Sequence, residues 1–170
     1  NTIGPRERAG AEGGFAALSQ GVTHYRWVGP VRGPVAVMVH GLASPPIAME
    51  GLAEGLGKMG YRVLTYDLYG RGLSDAPTGR QDSAFFLQQL AELLSDQNVT
   101  EEITLVGYSM GGAIAGAYAA QNIHRINRVI LVASSGVVTH ESGFSQFCRK
   151  VPILGDWWHG MFVRRRILRA

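Results

Sequence analysis

Residues Ile103-Thr104-Leu105-Val106-Gly107-Tyr108-Ser109-Met110-Gly111-Gly112-Ala113-Ile114 join a strand-like run to a helix-like run through a G-x-S-x-G and one further glycine. Ile103 to Val106 are apolar or β-favouring, as a buried parallel strand requires. After Ser109, Ala113, Ile114, Ala117 and Tyr118 recur at helical spacing, with Ala115, Ala119 and Ala120 between them. A serine on so sharp a turn has strained backbone angles, and its neighbours must be nearly free of side chains for strand and helix to approach. The segment is a candidate nucleophile elbow. It also belongs to an eighteen-residue uncharged run from Ile103 to Ala120, long enough to touch the length of a membrane span. The glycines break that run into strand and helix, so no span is expected.

Outward from the elbow the chain alternates. Thr23 to Val28 reads as an early antiparallel or edge strand ending at Gly29-Pro30, and Val35 to Val39 as a buried central strand ending at His40-Gly41. A helix is predicted from near Ser44, with Ile47, Leu52, Leu56 and Met59 inward and Gly60 ending it. Tyr61 to Tyr66 gives a strand, and Asp67 to Asp75 a glycine-rich loop. Asp82 caps a helix with Phe86, Leu90, Leu93 and Leu94 on one face and Asn98 at its close. Arg128 to Ser134 reads as another buried strand. Alternation of this kind implies an open, mainly parallel sheet with helices on both faces, the α/β class. Ligands of such sheets bind beyond the carboxyl ends of the strands, where His40, Asp67, Ser109 and Ser134-Ser135-Gly136 fall. Ser109 is the obvious nucleophile among them.

Composition narrows the function. A chain of 170 residues with 46% hydrophobic content supports one domain with a sizeable core. Its net charge of +3 comes from the tail: six basic residues against Asp156 lie between Arg149 and Ala170, whereas the first 148 residues carry ten basic and twelve acidic side chains. Trp157, Met161 and Leu168, extended by Trp158 and Phe162, form an apolar stripe from which Arg164 to Arg166 largely face away, so a helix face fits better than a nucleic-acid clamp. Cys148 is the single cysteine, which excludes an intrachain disulfide and fits a cytoplasmic protein, although a start at Asn1 leaves room for a removed signal. No His/Cys cluster has metal-ligand spacing. Asn98-Val99-Thr100 matches a glycosylation sequon without a secretory context.

Three motifs in order carry a resemblance to a known family: His40-Gly41 after the apolar strand, Asp67-x-x-Gly70-x-Gly72-x-Ser74-Asp75, and Gly107-Tyr108-Ser109-Met110-Gly111-Gly112. Together they resemble the α/β-hydrolase superfamily, in its cap-bearing serine-hydrolase branch. Arg6, Glu7, Arg8, Glu12 and several glycines make residues 1–12 read as a mobile arm, and the resemblance implies an incomplete hydrolase core over 13–137 and the beginning of a helical cap over 138–170. It implies that Ser109 is the nucleophile and that the backbone N–H groups of Met110 and Leu42 form the oxyanion hole. His40 and Asp67 are then structural, Asp67 as an acceptor that holds its loop. The family's acid and base follow the serine after two further strands, which the 170 residues do not reach. His140 and Glu141 are adjacent and ill-suited to form a relay with the serine. His124 and His159 read as surface or packing residues. The chain is therefore expected to be the amino-terminal part of a longer hydrolase, with Val129 to Val132 as an open apolar edge.

The implied activity is cleavage of an ester or related acyl bond through an acyl-enzyme, with no cofactor and no metal. The partner is a small ester-like substrate of apolar character rather than nucleic acid, with no membrane span; nothing in the sequence sets the oligomeric state. A non-catalytic binding protein that keeps the pocket without the relay is the alternative. A dinucleotide-binding domain is excluded, because Ser109 stands where that fingerprint has its second glycine.

Overall fold

The computed structural model describes residues 8–42, 46–79 and 81–135. Its strands are β1 (Gly14–Leu18), β2 (Gly21–Val28), β3 (Val35–Val39), β4 (Arg62–Tyr66), β5 (Ile103–Tyr108) and β6 (Ile126–Val132). They form one sheet in the order β1-β2-β4-β3-β5-β6. The pairs β1/β2 and β2/β4 are antiparallel, whereas β3 pairs in parallel with β4 and β5, and β5 with β6. Three helices connect the parallel strands: α1 (Pro46–Lys58), α2 (Ser83–Asp96) and α3 (Met110–Gln121).

The helices cover both faces. On one side Phe86, Leu90, Leu93 and Leu94 of α2 and Ile114, Ala115 and Tyr118 of α3 pack on Val35, Val37, Val39, Leu64 and Leu105. On the other, Ala53 and Leu56 of α1 pack on Ala36, Met38, Val63 and Val106. Strand β3 is buried along its whole length because it has a strand on each side and a helix on each face. The uncharged run that touched membrane length is divided between β5 and α3, and no helix among the described residues is long and apolar enough to cross a membrane.

Several sequence expectations need correcting. Strand β1 was not foreseen, and β2, antiparallel to both neighbours as one of its two readings had it, lies inside the sheet rather than at its edge. In α1 the inner face is Met49, Ala53 and Leu56; Leu52 is 36% and Met59 73% exposed. The side chain of Ile47 lies outside the described ones. On α3, Ala113 is exposed and Ala115 takes the inner position. Strand β6 is less buried than its composition suggests, with Val129 36% and Leu131 43% exposed and, among the described residues, a neighbour on one side only. That matches the expected apolar edge.

Asp82 caps α2 by accepting from the Phe85 N–H at 3.1 Å. Asn98, expected to close that helix, follows Gln97 with φ +52°, a conformation asparagine tolerates better than most residues. At the amino terminus, Arg8 donates to Leu73 O at 3.1 Å and pairs with Asp75 at 2.7 Å. From residue 8 onward the segment assigned to the arm is thus tied to the loop after β4. The cap assignment over 138–170 lies outside the described residues.

Candidate functional site

Strands β3, β4, β5 and β6 all deliver their carboxyl ends to one rim. Ser109 follows β5 there with φ +52° and ψ −119°, angles that an L-residue adopts only when its surroundings impose them. Three hydrogen bonds do so: its N–H donates to Val132 O, and its carbonyl accepts from the Gly112 and Ser135 N–H groups, each at 3.0 Å. The turn is thereby pinned to β6 and to the first turn of α3.

The glycines around Ser109 are required by space. A Cβ on Gly107 would lie 2.5 Å from Gly112 Cα, one on Gly112 would strike the Ser134 side chain, and one on Gly111 would enter Val39 O. The Gly111 approach brings the start of α3 against the Val39 and His40 carbonyls, beside the loop that carries Leu42. Met110 opens α3, so its N–H is one of the groups a helix leaves unpaired at its positive end. Leu42 lies after β3 and is 56% exposed. Thus the loops carrying the two expected donors meet at the elbow. Neither the Leu42 nor the Met110 N–H, nor Ser109 Oγ, has a hydrogen-bond partner among the described residues.

His40 joins the loop after β3 to the loop after β4. The Leu68 N–H donates to its Nε2 at 2.9 Å, so that nitrogen is an acceptor and the proton of the neutral ring sits on Nδ1, which donates to Gly41 O at 2.7 Å. With its Nε2 lone pair already engaged, His40 is a loop anchor. Asp67 is likewise occupied, accepting at Oδ2 from the Leu73 N–H at 2.9 Å and from His24 Nδ1 at 2.8 Å. A Cβ on Gly72 would collide with the same carboxylate.

Two buried polar residues here were missed in the sequence. His24, 9% exposed, joins Asp67 through Nδ1 and Glu12 O through Nε2, both at 2.8 Å, and so links the amino-terminal segment to the loop. Gln89, 1% exposed, donates to Thr23 Oγ1 and Asp67 O and accepts from the Tyr69 N–H. The remaining described histidine, His124, lies in a single 3-10 turn beyond the far end of α3. None of the three hydrogen-bonds Ser109. His140, Glu141, Cys148, Trp157, Trp158 and His159 lie outside the described residues.

A cavity of about 240 Å³ opens beside the loop after β3, bordered by Met38, His40, Gly41, Leu42, Met49 and Asp67 among others; Ser109 is not among its walls. No three His, Cys, Asp or Glu side chains among the described residues come together in a way that could hold a metal ion.

The model of the alpha/beta hydrolase fold family matches residues 34–158. The chain belongs to that family. It is 33% identical over 121 residues to a cis-3-alkyl-4-alkyloxetan-2-one decarboxylase of Shewanella oneidensis, covering 68% of this chain and 37% of that protein. It is 32% identical over 103 residues to a pimeloyl-[acyl-carrier protein] methyl ester esterase of Nitrosomonas europaea, covering 61% of this chain and 38% of that protein. Among solved structures it is similar to the enol-lactonase of Burkholderia xenovorans, with a TM-score of 0.70 and 26% identity over 90% of this chain and 59% of that one. The chain spans about a third of the length of the curated relatives it matches.

Proposed function

We propose that the protein is a serine hydrolase that cleaves an ester or related acyl bond through an acyl-enzyme on Ser109. The observation that carries this reading is the Ser109 backbone: φ +52° on a non-glycine residue, held by three hydrogen bonds at the carboxyl end of β5. Such a conformation costs about 1–3 kcal/mol, persists where the surroundings over-determine it, and clusters at active sites, ligand clamps and switch regions. Asn98 and Ala133 also have positive φ, so the angle counts here only together with the place of Ser109 at the carboxyl end of β5 and the start of α3.

In the proposed reaction Ser109 Oγ attacks the acyl carbon and loses its proton to a base; the bond to the leaving alcohol breaks as that alcohol takes the proton. Water then adds to the acyl-serine and releases the acid. The Leu42 and Met110 N–H groups bind the oxyanion, an effect worth about 3 to 4 kcal/mol per donor. The acid and base fall to residues outside the described ones, since His24 and His40 are occupied and His124 is remote. Support for the bond type comes from two relatives' names: one is a methyl ester esterase and one an enol-lactonase.

The test is covalent labelling of the full-length protein with a fluorophosphonate. Rapid modification confined to Ser109 and lost in Ser109→Ala is the expected result. A folded protein that resists the probe would overturn the assignment in favour of a binding role.

A further inference from the structure

The Leu42 N–H can bind an oxyanion only if its peptide is turned the right way, and two successive peptide planes connect that direction to the interior of the domain. A trans peptide is planar, so fixing a carbonyl fixes the N–H of the next residue, which points the opposite way. Gly41 O is held by His40 Nδ1 at 2.7 Å, and this sets the direction of the Leu42 N–H. His40 is in turn held at Nε2 by the Leu68 N–H. The direction of Leu68 N–H is set by its own peptide partner, Asp67 O, which accepts from Ser74 Oγ at 2.6 Å and from Gln89 Nε2 at 3.1 Å.

We propose that Gln89 and Ser74 are positioning residues that set the Leu42 N–H through the Asp67–Leu68 peptide, His40 and the Gly41–Leu42 peptide. This rests on the reading of Leu42 as an oxyanion donor. Both side chains suit the task. Each is 1% exposed and locked by other partners: Ser74 Oγ accepts from the His24 N–H at 3.0 Å, and Gln89 Oε1 accepts from the Tyr69 N–H at 3.1 Å. Gln89 Nε2 also donates to Thr23 Oγ1 at 2.9 Å, so rotation of its amide would break three bonds together. A glutamine buried on the apolar face of α2 would otherwise be a costly choice, since each of its polar atoms needs a partner.

The experiment compares Gln89→Glu, which puts an oxygen where Nε2 faces the Asp67 carbonyl, and Ser74→Ala, which removes the hydroxyl donor. Leu90→Ala serves as the control, loosening the same helix and the apolar cluster it shares with Leu68 while removing none of the relay's hydrogen bonds. Two measurements are made on the full chain. The first is the nitrogen-15 signature of the His40 ring with the Leu42 amide shift. In the wild type the ring shows a single Nδ1–H tautomer; in either relay variant the tautomers mix and the Leu42 amide moves, and in Leu90→Ala neither changes.

The second is the fluorophosphonate reaction at Ser109, resolved into a maximal rate and a half-saturating concentration. Misdirecting a donor should lower the maximal rate about tenfold with half-saturation unchanged, while Leu90→Ala stays within about twofold. An unlabelled wild type would overturn the Ser109 reading alone, and the nitrogen-15 signals would still decide the relay. Unchanged His40 and Leu42 signals in a folded Gln89→Glu or Ser74→Ala, or equal changes in Leu90→Ala, would overturn the relay itself.

Discussion

Gly111 and Gly116 occupy one helix, and alanine at the two positions should act in opposite directions. A Cβ on Gly111 would overlap Val39 O and come within 2.5 Å of His40 O and 2.6 Å of Val39 C. Ordinary contact lies an ångström or so further out, and all three obstacles are backbone. Nor can the obstacle retreat, because β3 is hydrogen-bonded to β4 on one side and β5 on the other. Overpacking at a site that cannot relax costs about 3 kcal/mol. The alanine gains about 1 kcal/mol in helix propensity, leaving a net loss of about 2 kcal/mol. Gly116 has nothing within 4 Å of a built Cβ. Only the propensity acts there, and the variant should gain about 0.5–1 kcal/mol. In urea denaturation with a slope of about 2 kcal/mol per M, Gly111→Ala should lower the midpoint by about 1 M and Gly116→Ala raise it by about 0.3–0.5 M. Equal midpoints for the two variants would refute the argument, because helix propensity alone predicts that both gain.

Ser109→Gly removes the positive-φ strain and should be about 1 kcal/mol more stable than Ser109→Ala in the same assay, with both unreactive toward the fluorophosphonate; equal stability would mean that the turn is unstrained. The Asp75 carboxyl is partly buried, which by itself would raise its pKa, but the Val22 N–H bond and the Arg8 guanidinium outweigh this and hold it below the ordinary value. A depressed pKa stabilises the fold above the unfolded value of about 4, and the contribution is lost as pH falls through the folded value. The stability gap between wild type and Asp75→Asn should therefore narrow as pH drops below about 4, and a constant gap would exclude the pairing as its source. Asp82→Ala removes the α2 cap and should cost about 1 kcal/mol by thermal unfolding, whereas no loss would show that the cap bond with the Phe85 N–H contributes nothing.

The elbow could be read from residues 103–114 because part of the steric need there acts between neighbours in sequence: Gly107 faces Gly112 with the serine between them, whereas the partners of Gly111 and Gly112, Val39 and Ser134, lie elsewhere in the chain. Strand β3 was legible for a related reason, since a strand covered on both faces has no polar alternation to confuse with a loop. The inner face of α1 was misjudged because Leu52 and Met59 are larger than Ala53, yet close approach of the helix to β3 and β4 favours the smaller residue. Strand β1, with two alanines between Phe15 and Leu18, has little β-propensity of its own and is defined by its pairing with β2.

What sequence reasoning missed at the site is of another kind. Gln89 holds the i+3 slot of the row Phe86, Leu90, Leu93 and Leu94, a polar side chain inside an apolar stripe, and that signal was visible. Its meaning was not, because its partners Thr23, Asp67 and Tyr69 come from β2 and from the loop after β4. His24 shows the same limit: a histidine in an alternating strand gives no hint of an aspartate 43 residues away. The motifs Asp67-x-x-Gly70-x-Gly72-x-Ser74 and His40-Gly41 name the ends of a hydrogen-bonded path whose middle is tertiary. Spacing within a motif records contacts the chain makes with itself locally; the proposed setting of one N–H at Leu42 depends on carbonyls and donors drawn from β2, α2 and the loops after β3 and β4, and becomes readable only when those elements are assembled.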